Sequence, residues 1–365
     1  MSPDRPDVRL RYGRILRVGE RRPGAVELEV EVEGATAPAL AYPDLVGPVS
    51  EGDTVVLNTT AVALGLGTGG MHLVVAVAGA WTDLAHTGRT MKARYTPAQV
   101  AVVSVEESER DTLEGSPGLR GVPVVCAPLH SMVAPVAAGA RAAGAERIVY
   151  VMTDGACLPG AFSRLVPRLR AAGLLDAWLT AGQAFGGELE AVTIWSALVA
   201  AVEVARADVV VVADGPGNLG TDTTWGVSAL GSGTAINAAH TLGGRPVAAL
   251  RISFADPRPR HAGVSHHSLT ILERVCLVPA TVVVPALEGA ERDRVWDALR
   301  ARALEDRHQL VEADGRPAMD ALERAGVEVD SMGRTPAEDP VFFLAAGAAG
   351  VVAGRMAAAS RTWRA

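Results

Sequence analysis

The chain has 365 residues, of which 49% are hydrophobic and 21% charged, with a formal net charge of −7 and a pI near 5.7. That is long enough for two or three domains with a full core, and it excludes a wholly disordered chain. The acidic balance sets nucleic acid aside as a partner, because nucleic-acid binders present a basic field.

Residues 1–6 are polar and lead into no apolar segment, so no secretory leader is expected and a cytoplasmic location is. The longest membrane-like stretch, residues 341–354, is ended by Arg355. It falls short of the roughly twenty residues a span needs, so a buried helix is expected there and no membrane partner. Cys126, Cys157 and Cys276 are too scattered for a disulfide frame or zinc ribbon, which fits a reducing compartment.

Residues 8–80 alternate with period two, as in Val26-Glu27-Leu28-Glu29-Val30-Glu31-Val32. Five or six short strands are predicted, forming a small β-barrel or sandwich domain over 1–82. Residues 83–121 read as a connector and linker. From 122 to 365 the rhythm becomes strand then helix. Strands are predicted at 122–127, 147–153, 177–180, 208–213, 246–254 and 280–284. Helices are predicted at 132–143, 162–172, 189–206, 226–242, 268–276, 290–305, 317–325 and 340–360. Near-continuous apolar strands alternating with helices predict an α/β domain: a Rossmann-like, mostly parallel sheet with helices on both faces.

In such sheets ligands bind outside the carboxyl ends of the strands. Each predicted strand here is followed by a polar segment. Asp154 opens one. Asp214, Gly215, Gly217, Asn218, Gly220 and Thr221 belong to another. Arg251, Asp256, Arg258, Arg260, His261, His266 and His267 follow the strand at 246–254. Gly215-x-Gly217-x-x-Gly220 matches a dinucleotide fingerprint, but the acidic residue expected about twenty positions on is missing. A phosphate or other anion on backbone N–H groups is the broader expectation. Arg251, Arg258 and Arg260 have the fork geometry to clamp a carboxylate or phosphate.

Half of the eight histidines fall between 240 and 267, and His261, His266 and His267 are candidate proton carriers. With Asp214 or Asp256 they could bind a divalent cation, but no spacing matches a zinc helix, so no metal ligands and no cofactor are assigned. Of 34 Lys+Arg residues only Lys92 is lysine. A lysine kept where arginine otherwise serves is a candidate catalytic ammonium or amine.

The strings Leu57-Asn58-Thr59-Thr60-Ala61 and Met91-Lys92-Ala93-Arg94-Tyr95-Thr96-Pro97, with residues 215–221, 251–268 and 332–343, resemble the bacterial domain-of-unknown-function family 3866 over nearly the whole chain. The resemblance implies a bacterial protein without an established activity. It supplies no catalytic residues.

Three readings compete. The first is an enzyme on a small anionic metabolite or nucleotide, using the histidines and Lys92. The second is a non-catalytic protein that senses a ligand or binds a partner. The third is a divalent-metal hydrolase using Asp214, Asp256 and the histidines. The Ala/Gly-rich last helix adds the expectation of a homodimer, by close packing against a copy of itself.

Overall fold

The computed structural model describes residues 7–67 and 69–362, so the stretch read for a leader lies outside them. The chain divides into two compact units, Met1–Val102 and Val103–Ala365.

In the first unit, β1 (Leu10–Arg22), β2 (Ala25–Val32), β3 (Ala35–Ala41), β4 (Thr54–Asn58) and β5 (His72–Val77) close a barrel in the order β1-β2-β3-β5-β4. All neighbours are antiparallel except β3 and β5. Period-two alternation builds it. Val26, Leu28 and Val30 point inward with Ile15, Val55 and Leu57, while the glutamates between them face out. Outside, Glu33 takes Arg9 and Arg11, and Glu29 takes Arg17. Exposed pairs of this kind contribute little, so the apolar interior carries the barrel.

β6 (Thr90–Lys92) and β7 (Val100–Val102) then form an antiparallel hairpin. Between them Ala93 (φ 46°) and Tyr95 (φ 61°) are left-handed, an unfavoured conformation for residues other than glycine. The stretch read as a connector is therefore divided. Its first part carries this hairpin within the first unit, and its second part carries two short helices, Val105–Ser108 and Arg110–Glu114, within the second unit.

The second unit holds β8 (Pro123–Cys126), β9 (Ile148–Thr153), β10 (Ala177–Ala181), β11 (Leu189–Ala191), β12 (Val209–Asp214), β13 (Arg245–Ala249), β14 (Ile252–Ser253), β15 (Gly263–Val264), β16 (Thr281–Pro285) and β17 (Gln309–Ala313). Eight of these form one sheet in the order β11-β10-β9-β12-β8-β13-β16-β17, with every pair parallel. Only β14 and β15 pair separately, antiparallel to each other.

Alternate residues of the strands enter different layers of core. Val124, Val149, Val210 and Val212 pack with helices Ile194–Glu203, Gly231–Thr241 and Gly289–Arg300. Val125, Ile148, Tyr150 and Val211 pack with Val133–Ala142, Leu165–Ala171, Arg316–Arg324 and most of Pro340–Thr362. This is the doubly covered sheet that the apolar strands predict.

The last helix, Pro340–Thr362, is long and apolar enough by composition to cross a membrane, yet its apolar window is mostly buried in this core. Its small-residue face meets helix Val133–Ala142. A Cβ on Gly350 would stand 2.0 Å from the Val136 carbonyl oxygen, and one on Gly139 would stand 2.3 Å from that of Gly347. The face on which self-packing was expected is thus occupied within the chain.

Four further differences from the sequence reading have local causes. Leu189–Ala191 is the edge strand β11, and the helix begins only at Ile194, where Thr193 and Ser196 make a capping box. β17 was not expected, because Gln309-Leu310-Val311-Glu312-Ala313 is a half-polar edge strand. The strand predicted at 246–254 breaks after Ala249, because Ile252 and Ser253 pair with β15 instead. The helix predicted at 268–276 starts earlier, as α-helix His266–Thr270, and continues as a π-helical turn, Ile271–Val275.

Candidate functional site

Because every strand of the large sheet points the same way, its polar loops share one rim. After β9 the chain leads outward to β10. After β12 it leads the other way, across β8 to β13. The gap between the ends of β9 and β12 is therefore a switch point, where such sheets open a crevice. Asp214, the last residue of β12, lies in it and is buried. Its carboxylate accepts from Thr153 Oγ1 (2.7 Å), Gly155 N–H (3.1 Å) and Asn218 Nδ2 (2.8 Å). Burial raises its pKa, and these three donors pull it back down. Beside it, Asp154 is exposed and accepts from the Gln183 N–H at 2.7 Å.

Below Asp214 lies a closed polar chain. The Tyr150 hydroxyl is 3.2 and 3.1 Å from the carbonyl oxygens of Ala213 and Asp214, and 3.1 Å from His130 Nδ1. Its proton goes to the carbonyls, so His130 Nδ1 must carry hydrogen and Nε2 accepts from Ser163 Oγ at 2.8 Å. Burial pushes the His130 pKa down to about 4.

An ordinary histidine titrates near 6.5 in the unfolded chain, so there the unfolded state binds a proton that the folded state does not. The neutral imidazole's contribution to stability is present above that value and is lost as the pH falls towards 4, at up to about 1.4 kcal/mol per pH unit. Chemical denaturation of wild type and His130→Asn at pH 4.5 and 7 is expected to show a smaller pH dependence in the variant. Equal dependence would show that His130 is not the group responsible.

The glycines at 215–220 do not form a phosphate cradle at a helix start. The 3-10 turn Ser228–Leu230 and helix Gly231–Thr241 begin well past them. Gly215 is needed for close approach instead, since a Cβ there would meet the Cys157 carbonyl oxygen at 2.7 Å. Gly217 takes φ 90°. Thr221 closes the loop on itself by donating to the Gly226 carbonyl at 2.9 Å. Cys157 is half-buried, and burial pushes its thiol up to about 12.

The second cluster stands on the segments after β13. Asp256 is buried and accepts from Arg251 Nη2 (3.0 Å) and from Arg258 Nε (2.9 Å) and Nη2 (2.7 Å). Arg334 approaches it to 3.6 Å and donates from Nε to Asp339 at 3.2 Å. Ser253 donates to the same Asp339 oxygen at 2.6 Å. The Arg258 hydrogen bonds hold the Asp256 carboxyl well below its usual range, while burial lowers Arg251 to about 10. Met332, left-handed at φ 52°, lays its sulfur 3.5 Å from Arg251 and 3.3 Å from Arg258. Arg251 Nε, Arg334 Nη2 and Asp339 Oδ1 are buried with no hydrogen-bond partner among the described residues.

His261, His266 and His267 stand against these arginines. Arg260 Nε lies 3.2 Å and Arg251 Nη1 3.4 Å from His261 Nε2. Guanidinium groups only donate, so Nε2 bears the lone pair and Nδ1–H donates to Ser265 Oγ at 2.9 Å. Ser265 also accepts from the His267 N–H, capping helix His266–Thr270. Burial first, then the neighbouring arginines, lower His261 to about 3. Burial, then His266, lowers His267 to about 4. The two clusters share the rim. Arg260 pairs with Asp222, and a Cβ on Gly220 would stand 3.5 Å from His267 Nε2.

The residues named from the sequence after β9, β12 and β13 thus meet at one edge, with Ser253, Ser265, Met332, Arg334 and Asp339 added. Asp339, which precedes Pro340 at the start of the last helix, turns its carboxylate to Ser253 and Arg334. Asp214 and Asp256 spend their oxygens on the donors above and do not join the histidines, which removes them from the ligand set of the expected metal hydrolase. Lys92 belongs to the first unit, where it ends β6 fully buried and engaged in interactions of its own.

Compared with known proteins, residues 38–350 match the model of a family described as a protein of unknown function, DUF3866. No curated protein and no solved structure matches the chain.

Proposed function

The chain belongs to the DUF3866 family, and from the geometry of its strand ends we propose that it binds a small anionic metabolite at the carboxyl rim of the parallel sheet. One observation carries this reading: two buried guanidinium donors, Arg251 Nε and Arg334 Nη2, lack acceptors within a group of four arginines. A buried unpaired donor is costly, and a carboxylate or phosphate supplies the missing acceptor in the bidentate form that guanidinium favours. Asp256 takes hydrogen bonds from Arg251 and Arg258, and Arg334 donates Nε to Asp339 with its Nη2 3.6 Å from Asp256, so Arg334 Nη2 and the outer edge of Arg258 are the donors a ligand would complete. Gly220, Thr221 and Asn218 border the same rim, beside His261 and His267, which burial and the arginines keep uncharged.

Thermal unfolding across sulfate, phosphate, phosphate monoesters and dicarboxylates tests this. One class is expected to stabilise wild type, by about 2.7 kcal/mol at a hundredfold excess over Kd. Arg334→Ala and Arg258→Ala should lose most of that gain. No stabilising anion, or equal stabilisation of the variants, would refute the reading.

A further inference from the structure

We propose that His261, His266 and His267 form a binding site for one divalent transition-metal ion of the zinc class, beside the anion-binding arginines. The inference deepens the rim reading above but rests on different atoms. One ring nitrogen from each histidine lies within 4.8 Å of the other two. His266 Nε2 and both ring nitrogens of His267 are buried and have no hydrogen-bond partner among the described residues. Buried imidazole nitrogens are normally satisfied, and here two adjacent rings carry three that are not.

Imidazole is a ligand suited to zinc, copper, nickel and cobalt, and three histidines with an open fourth position are an established donor set for zinc. Zinc–nitrogen bonds of about 2.0–2.1 Å put tetrahedral ligand atoms about 3.3 Å apart, so modest side-chain rotation closes the present spacing. The surroundings fit this use. Ser265 Oγ accepts the His261 Nδ1–H, which fixes the tautomer with the lone pair on Nε2, as hydrogen-bond partners behind ligand histidines commonly do. A Cβ at Gly220 would stand 3.5 Å from His267 Nε2 and 3.9 Å from Val227 Cγ2, so the glycine keeps a side chain of its own off that nitrogen.

Two guanidinium groups oppose the ion. Arg251 Nη1 lies 3.4 Å from His261 Nε2, on a side chain that Asp256 holds through Nη2. Arg260 donates to His261 Nε2 and brings a second positive charge, but it is only half-buried and pairs with the exposed Asp222. It can swing away with that carboxylate. The site is therefore gated by Arg260, and the metal's exchangeable fourth position would be offered to the anion held by the neighbouring arginines.

The test uses the full chain, stripped with chelator and titrated with zinc and with cobalt(II), without added anion. Wild type is expected to take up one equivalent, to gain thermal stability on zinc addition, and to show the visible bands of four-coordinate cobalt. Ser265→Ala should weaken binding by roughly 10–100-fold, and His267→Ala or His261→Ala by more. Arg260→Met removes the closer of the two competing donors without touching a ligand and should tighten binding. It keeps the proposal falsifiable if a histidine variant fails to fold. Uptake well below one equivalent, or unchanged affinity in His266→Ala/His267→Ala, would overturn the proposal. So would Arg260→Met binding that is weaker than wild type. Zinc uptake without any stabilising anion would sink the anion reading and leave this one standing. Anion binding by metal-free protein with no zinc uptake would do the reverse.

Discussion

Replacing Asp256 with alanine is expected to destabilise the second unit by about 3–5 kcal/mol, the cost of leaving a buried charge without its partner. Arg251 is buried and depends on Asp256 for its Nη2 hydrogen bond, and Arg258 is oriented by the same carboxylate. With the carboxylate gone, Arg251, Arg258 and Arg334 repel one another in a site with little water to screen them. The double variant Asp256→Ala/Arg251→Met should recover much of the loss, because the uncompensated charge leaves with the carboxylate. Urea midpoints of the two single variants and the double variant, at unchanged m-value, supply the cycle. If the losses simply add, the pair is not coupled as described. The acid behaviour of wild type follows from the same contact. The Asp256 carboxyl is held below its usual range, so its contribution is complete above the ordinary aspartate pKa and disappears as the pH falls below it.

Asp214→Ala is expected to cost about 2–4 kcal/mol, by leaving Thr153 Oγ1, the Gly155 N–H and Asn218 Nδ2 without their shared acceptor. Asp214→Asn should cost clearly less. Its carbonyl oxygen still accepts from Thr153 and Gly155, and Asn218 can present its own oxygen to the new amide. Asparagine also avoids burying a charge, the cause of the raised Asp214 pKa. If alanine and asparagine are equally damaging, the ionised carboxylate itself is what the crevice requires. Asp214 would then be a ligand-site charge more than an organiser of the β9 and β12 loops.

Much of the scaffold was legible because its strands are buried on both faces. A run such as Val209-Val210-Val211-Val212 admits few other placements, and strand–helix alternation then dictates a parallel sheet whose loops meet at one rim. The edges were not legible. β11 and β17 are short and half-polar, so nothing in Leu189-Glu190-Ala191 or Gln309-Leu310-Val311-Glu312-Ala313 distinguishes a strand from a helix start or a loop.

The site divided in the same way. Arg251, Asp256, Arg258 and the three histidines lie within one stretch of sequence, so their clustering could be read directly. Arg334 and Asp339 arrive from the other side of β16 and β17, and an Asp-Pro pair ahead of an apolar run reads equally well as a helix cap. Ser253 and Ser265 carry no signal of their own, since a lone serine beside a strand is as often a turn residue. The glycine fingerprint misled because spacing alone does not fix where the next helix begins. Here a threonine-closed loop separates the glycines from helix Gly231–Thr241.

Whether the arginines of this rim form one anion site is tested most directly by a crystal of the chain soaked in tungstate. The predicted result is an anomalous peak whose oxygens lie at charge-assisted hydrogen-bond distance, about 2.7–2.9 Å, from the guanidinium groups of Arg258 and Arg334. Tungstate bound elsewhere with that position empty, or an identical peak in Arg334→Ala, would contradict it.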